Sequence, residues 1–141
     1  MTTLFADRIR TAKQLNRTSG KILAEARERP VTVVSEGAEP VVIQSRARAA
    51  RQAHAEVVLG TVAALSAYLL DVEPGLQPAL RWVRELHPRN LAQFRRQLPR
   101  EALRAKNSGD FDAFEDWLND WKIAAEVDAD PALRRRLGLR A

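Results

Sequence analysis

The chain has 141 residues, a formal net charge of +5, an ordinary apolar share of 45% and no cysteine. It is long enough for one or two small domains with a packed core. The absence of cysteine excludes a disulfide scaffold, thiolate chemistry and a cysteine-based zinc site, and it is compatible with the cytoplasm.

Met1 to Asp7 lacks a basic region followed by an apolar run, so it does not read as a secretion signal. Thr11 is a plausible N-cap for a short helix through Leu15. Asn16 or Thr18 can start a second helix to about Glu28, with Ile22, Leu23 and Ala26 at helical spacing and Pro30 as its stop. Val31 to Ser35 and Val41 to Gln44 are β-branched runs separated by Gly37, a hairpin signal, and Ile9 can form a short strand beside them. Val31, Val33, Val41 and Ile43 then point one way, Val34 and Val42 the other.

From Ser45 a long helix rich in alanine and arginine runs toward Leu70, with Gly60 as a place to bend. Its apolar stretch, Val57 to Leu70, is shorter than the ~20 residues of a spanning helix, so no membrane partner is expected. Asp71-Val72-Glu73-Pro74-Gly75 breaks the pattern and divides the chain into 1–70 and 71–141. Beyond it, Pro78, Pro88, Pro99 and Pro131 each stand where a helix can begin. Asn107-Ser108-Gly109 is a turn, and Asp110 can cap a helix with Phe111, Phe114, Trp117, Leu118 and Trp121 on one face. Asp130-Pro131 starts a last short helix with Leu133 and Leu137, ended by Gly138. The expected class is α+β: a small N-terminal sheet with helices, then an all-α C-terminal region.

Charge divides along the same line. Ten bases face five acids between Met1 and His54. The rest roughly balances, but it contains Asp110, Asp112, Glu115, Asp116, Asp120, Glu126, Asp128 and Asp130 against Lys122 alone. A basic head suits polyanions and an acidic tail suits a basic protein. In the head, Arg10, Thr11, Lys13, Asn16, Arg17, Thr18, Ser19 and Lys21 crowd into two helical turns and their junction. Bases neutralise phosphates, and hydroxyls and amides position on phosphates or read base edges. On composition alone a solvated polar face with helix caps is the simpler explanation of the same residues, because short basic helices are common, and only a family resemblance turns the reading toward DNA. The hairpin leaves a surplus apolar face, and two strands do not stand alone. A dimer through Val31, Val33, Val41 and Ile43 is the expected cover, because so small a front domain buries too little by itself; packing within one domain is the alternative.

The order Leu15-Asn16, Thr18-Ser19, Ile22-Leu23, Pro30-Val31-Thr32-Val33, Gly37, Pro40-Val41-Val42-Ile43 and Ser45 resembles the N-terminal half of the prevent-host-death (Phd/YefM) antitoxins. The match runs over roughly Ile9 to Arg51, a third of the chain. Glu36 and Glu39 flank the turn where many relatives carry arginine, which weighs against a DNA contact from the turn itself. The resemblance implies a cytoplasmic type II antitoxin, an autorepressor that dimerises through its sheet and binds operator DNA with its N-terminal helices. Its C-terminal segment would wrap a cognate toxin of the RelE/ParE-like, Doc-like or PIN-domain kind.

The segment Trp117 to Leu137 is similar to an uncharacterised helical domain that accompanies such antitoxins. Phe114, Trp117, Leu118, Trp121, Ile123, Leu133 and Leu137 are its candidate toxin contacts, an aromatic anchor with an acidic rim. Trp117 and Trp121 read equally as the core of a small helical domain.

No enzyme is expected. His54 and His87 are the only histidines, neither has a metal-ligand spacing, and every glycine is isolated. No metal or cofactor is implied. The competing reading is a helical protein–protein adaptor that dimerises through its hairpin and never touches DNA.

Overall fold

The computed structural model describes residues 8–140, and Met1 to Asp7, judged above for a secretion signal, lie outside them. The chain is α+β, mostly helical, and forms two compact units, 1–53 and 54–141.

The first unit starts with β1 (Arg8–Thr11), which pairs in parallel with β2 (Val31–Val34). Ile9 sits opposite Thr32, and Arg10 opposite Val33. A parallel pair needs a crossover, supplied here by α1 (Ala12–Arg17) and α2 (Ser19–Glu28). Thr11 caps α1 in a reciprocal box: its hydroxyl accepts from the Gln14 amide at 3.1 Å, and the Thr11 amide donates to Gln14 Oε1 at 2.8 Å. Thr18 leaves the helical region and separates the two helices. β3 (Val41–Ile43) runs antiparallel to β2, and Gly37 takes a positive φ in the intervening turn.

The core of this unit is Ile22, Ala26, Val31 and Val33, with Ala12, Leu15 and Ile43 at its edge. The expected alternation therefore holds on β2, where Val31 and Val33 are buried by α2. Two of the four residues read as a dimer interface are thus interior to the unit itself, and Ile43 is half-buried against them. Only Val41, 58% exposed, is open to a partner. The face away from α2 carries Ile9 and Val42, both largely exposed, in register on either side of Thr32.

α3 (Arg46–Leu69) starts where Ser45 Oγ accepts from the Arg48 amide at 3.2 Å. The units divide within this helix, between Ala53 and His54, and not at the Asp71–Gly75 break. Val58 and Leu65 explain the shift, because they belong to the core of the second unit.

That unit continues with a 3-10 helix (Pro78–Glu85), α4 (Pro88–Ser108), α5 (Phe111–Ala129) and α6 (Pro131–Arg136). Prolines open three of these as the sequence suggests. Pro99 does not: α4 runs through it, with the residue exposed. An internal proline costs a helix ~3 kcal/mol. The continuous stripe Phe94, Leu98 and Ala105, buried on both sides of it, outweighs that cost. Gly109 ends α4 in the left-handed region and Asp110 caps α5, its carboxylate accepting from the Ala113 amide at 3.0 Å. Asp130 likewise caps α6.

Candidate nucleic-acid interface

α1, α2 and β1 enclose a cleft of about 410 Å³ lined by Arg10, Gln14, Arg17, Thr18, Lys21, Ile22 and Glu25. Four of the eight residues read as DNA contacts therefore meet in one concavity: Arg10, Arg17, Thr18 and Lys21. Lys13, Asn16 and Ser19 are exposed on the same two helices but do not line it. Thr11 is occupied by its capping box, and Thr18 Oγ1 donates to the Gln14 carbonyl at 2.8 Å.

Arg10 has a second role that the sequence did not suggest. It shares the α2-covered side of β1 with Arg8, and both reach Glu25, at 3.1 Å and 3.6 Å. The Glu25 side chain is only 14% exposed. The hydrogen bond from Arg10 holds its carboxyl below the ordinary 4.5; partial burial opposes this, and the nearby charges of Arg10, Arg8 and Lys21 reinforce it. The second carboxylate oxygen of Glu25 is buried without a hydrogen-bond partner. Arg10 is thus a structural base, locked to the fold. Arg17, Lys21 and Lys13 have no carboxylate within 4.0 Å among the described residues. They are the bases free to meet an anion.

Nothing in the local sequence flags Glu25. It lies fifteen positions from Arg10, and only the parallel pairing of β1 brings the two together.

In the second unit, the residues read as toxin contacts divide sharply. Phe114 is buried. Trp117 lies parallel to Phe94 at 5.5 Å between ring centres, while Trp121 and Trp82 meet the same ring edge-on at 5.6 and 5.7 Å. The Trp117 indole donates to Gln97 Oε1 at 3.3 Å. Leu118 packs against the same core and Leu133 is half-buried. This is the interior of the helical unit, and of the two readings of the tryptophans the core reading describes it. Fully buried Phe94 is the hub that sequence reasoning overlooked, because it sits alone among arginines and glutamines. Ile123, 51% exposed, and Leu137 remain open to solvent. Around Ile123, at helical neighbour spacings, stand Asp116, Asn119, Asp120 and Glu126, all exposed.

One group among the described residues has the composition of a metal site: His54, Asp112 and Glu115, with ligand atoms within 4.8 Å of one another. His54 Nε2 lies 2.8 Å from Glu115, while its other ring nitrogen faces Asp112 at 4.0 Å. Each carboxylate addresses a different ring nitrogen, so the two acids do not converge with one nitrogen on a single point as the ligands of one chelated ion would. The histidine comes from α3 and the acids from α5, so sequence spacing hides the group.

No family model, curated protein or solved structure matches this chain.

Proposed function

We propose that this chain is a Phd/YefM-like antitoxin: a dimeric repressor whose first unit binds operator DNA and whose helical unit binds and silences a basic toxin. The observation that carries the reading is the cleft between α1 and α2, where Arg17, Lys21 and Thr18 converge beside Lys13: its one acid, Glu25, is ion-paired with Arg8 and Arg10, and none of Lys13, Arg17 and Lys21 has a carboxylate of the described residues within 4.0 Å. The likeness of Leu15 to Ser45 to the family supports it independently. Dimerisation would use the exposed face with Ile9 and Val42, in place of the interior valines. Toxin binding would use the solvent side of α5, with Ile123 as an apolar anchor inside a ring of acids.

The test is binding of the full chain to its own upstream DNA, read by fluorescence anisotropy across a salt series. Lys13→Ala, Arg17→Ala and Lys21→Ala together should weaken binding and flatten the log–log salt slope by about 0.9 for each phosphate no longer neutralised. Unaltered affinity and slope would remove DNA from the proposal and leave an adaptor.

A further inference from the structure

The second unit carries its own polyanion-shaped surface. Along α4 stand Arg89, Arg95, Arg96, Arg100, Arg104 and Lys106, with Glu101 as the sole acid. Helical geometry turns each residue about 100° from the last. Arg96 and Arg100, each two positions past buried Phe94 and Leu98, therefore lie on the opposite side of the helix. Arg89, two turns before Arg96, shares that side. All three are exposed, and they span about 16 Å at 1.5 Å per residue.

Two features separate this row from an ordinary solvated face. The first is its lack of neutralisation. α5 packs against α4, as Phe94 on Trp117 shows, and carries six acids to one lysine. Even so, among the described residues no carboxylate comes within 4.0 Å of Arg89, Arg96 or Arg100; the one ion pair on α4 is Arg104 with Glu101. The second is composition. Gln93 and Asn107 are also exposed on this side, and its apolar surface is limited to the small side chains of Ala92 and Pro99 and to Leu103 at one end, with no aromatic residue among them. A protein partner needs an apolar anchor at the centre of its contact. A nucleic-acid backbone needs a row of cationic side chains, with amide donors beside them.

We infer that the outer face of α4 binds the phosphate backbone of duplex DNA, irrespective of sequence, through Arg89, Arg96 and Arg100. This surface is separate from the one proposed for α1 and α2 and does not require operator recognition.

The probe is a labelled duplex of scrambled sequence, titrated with the full chain over a range of salt. Arg89→Gln, Arg96→Gln and Arg100→Gln together should lower the salt slope by about 2.7 and weaken binding by about 500-fold at 0.1 M salt. The corresponding triple lysine variant should keep the slope, since phosphate neutralisation needs charge and not a fork of donors. A thermal melt checks the fold. If the triple glutamine variant melts early, each single change should still remove about 0.9 from the slope. An unchanged slope in the folded variants overturns the inference. So does a variant that binds DNA normally but has reduced affinity for polyglutamate, which would make the row a site for acidic protein. Loss of preference for upstream over scrambled DNA in the Lys13, Arg17 and Lys21 variant bears on the operator reading alone, so the two proposals fail separately.

Discussion

Replacing Phe94 by alanine removes the ring around which Trp82, Trp117 and Trp121 are arranged. Phenylalanine-to-alanine changes in cores cost ~3–5 kcal/mol. Phe94 is fully buried and has three aromatic neighbours, each pair adding ~0.5–1.5 kcal/mol beyond area burial, so the upper end, about 5 kcal/mol, is expected. That approaches the whole stability of a small domain, on the order of 5–15 kcal/mol. All three tryptophans lie in the second unit, so their fluorescence reports that unit without interference from the first. With a urea dependence of about 2 kcal/mol per molar, the fluorescence midpoint should fall by about 2.5 M. Ile123→Ala, on the exposed side of α5, should stay within ~0.5 kcal/mol of the parent. A Phe94→Ala protein that is destabilised by less than ~1 kcal/mol and keeps its native tryptophan emission would refute the aromatic core. It would also return Trp117 and Trp121 to the role of partner anchors.

The Glu25 carboxyl, held below 4.5, makes a contribution to the first unit that is complete above that pH and is lost as pH falls through the lowered folded value. Amide-exchange protection on β2 should therefore decline below pH 4.5 in the parent and lose this dependence in Glu25→Gln; identical acid profiles would exclude the Arg10–Glu25 pair as its cause. Val42→Asp, on the open sheet face, should leave the fold intact and shift a dimer toward monomer in sedimentation velocity, whereas Val33→Asp should unfold the first unit by burying an unpaired charge. A Val42→Asp protein with unchanged self-association would rule that face out as the interface.

Local signals were readable from the residues, and long-range ones were not. Thr11, Ser45, Asp110 and Asp130 act as caps because a hydroxyl or carboxylate beside a helix start has one nearby use. Pro30, Gly37, Gly109 and Gly138 punctuate the chain for similarly local reasons. Pro99 misleads, because the buried stripe that overrides it becomes visible only when α4 is packed. The alternation of the hairpin shows which valines share a face but cannot say whether α2 or a second copy covers them. In the cleft, the free bases could be read from composition. The neutralisation of Arg10 could not, since it depends on a strand pairing that joins distant parts of the chain. The arginine row of α4 stands in plain view in the sequence, but the acids of α5 cancel it in the charge of the C-terminal half as a whole.

Arg8 and Arg10 also guard the rim of the sheet. β1 and β3 are both edge strands, and an open edge invites pairing with another chain. β3 is only three residues long and follows Pro40, which has no amide hydrogen to offer. β1 places two guanidinium groups on its inner side, held there by one glutamate, where an incoming strand would have to bury them. Each margin is thus closed to strand addition by a different device, a short proline-led strand at one and captive charge at the other.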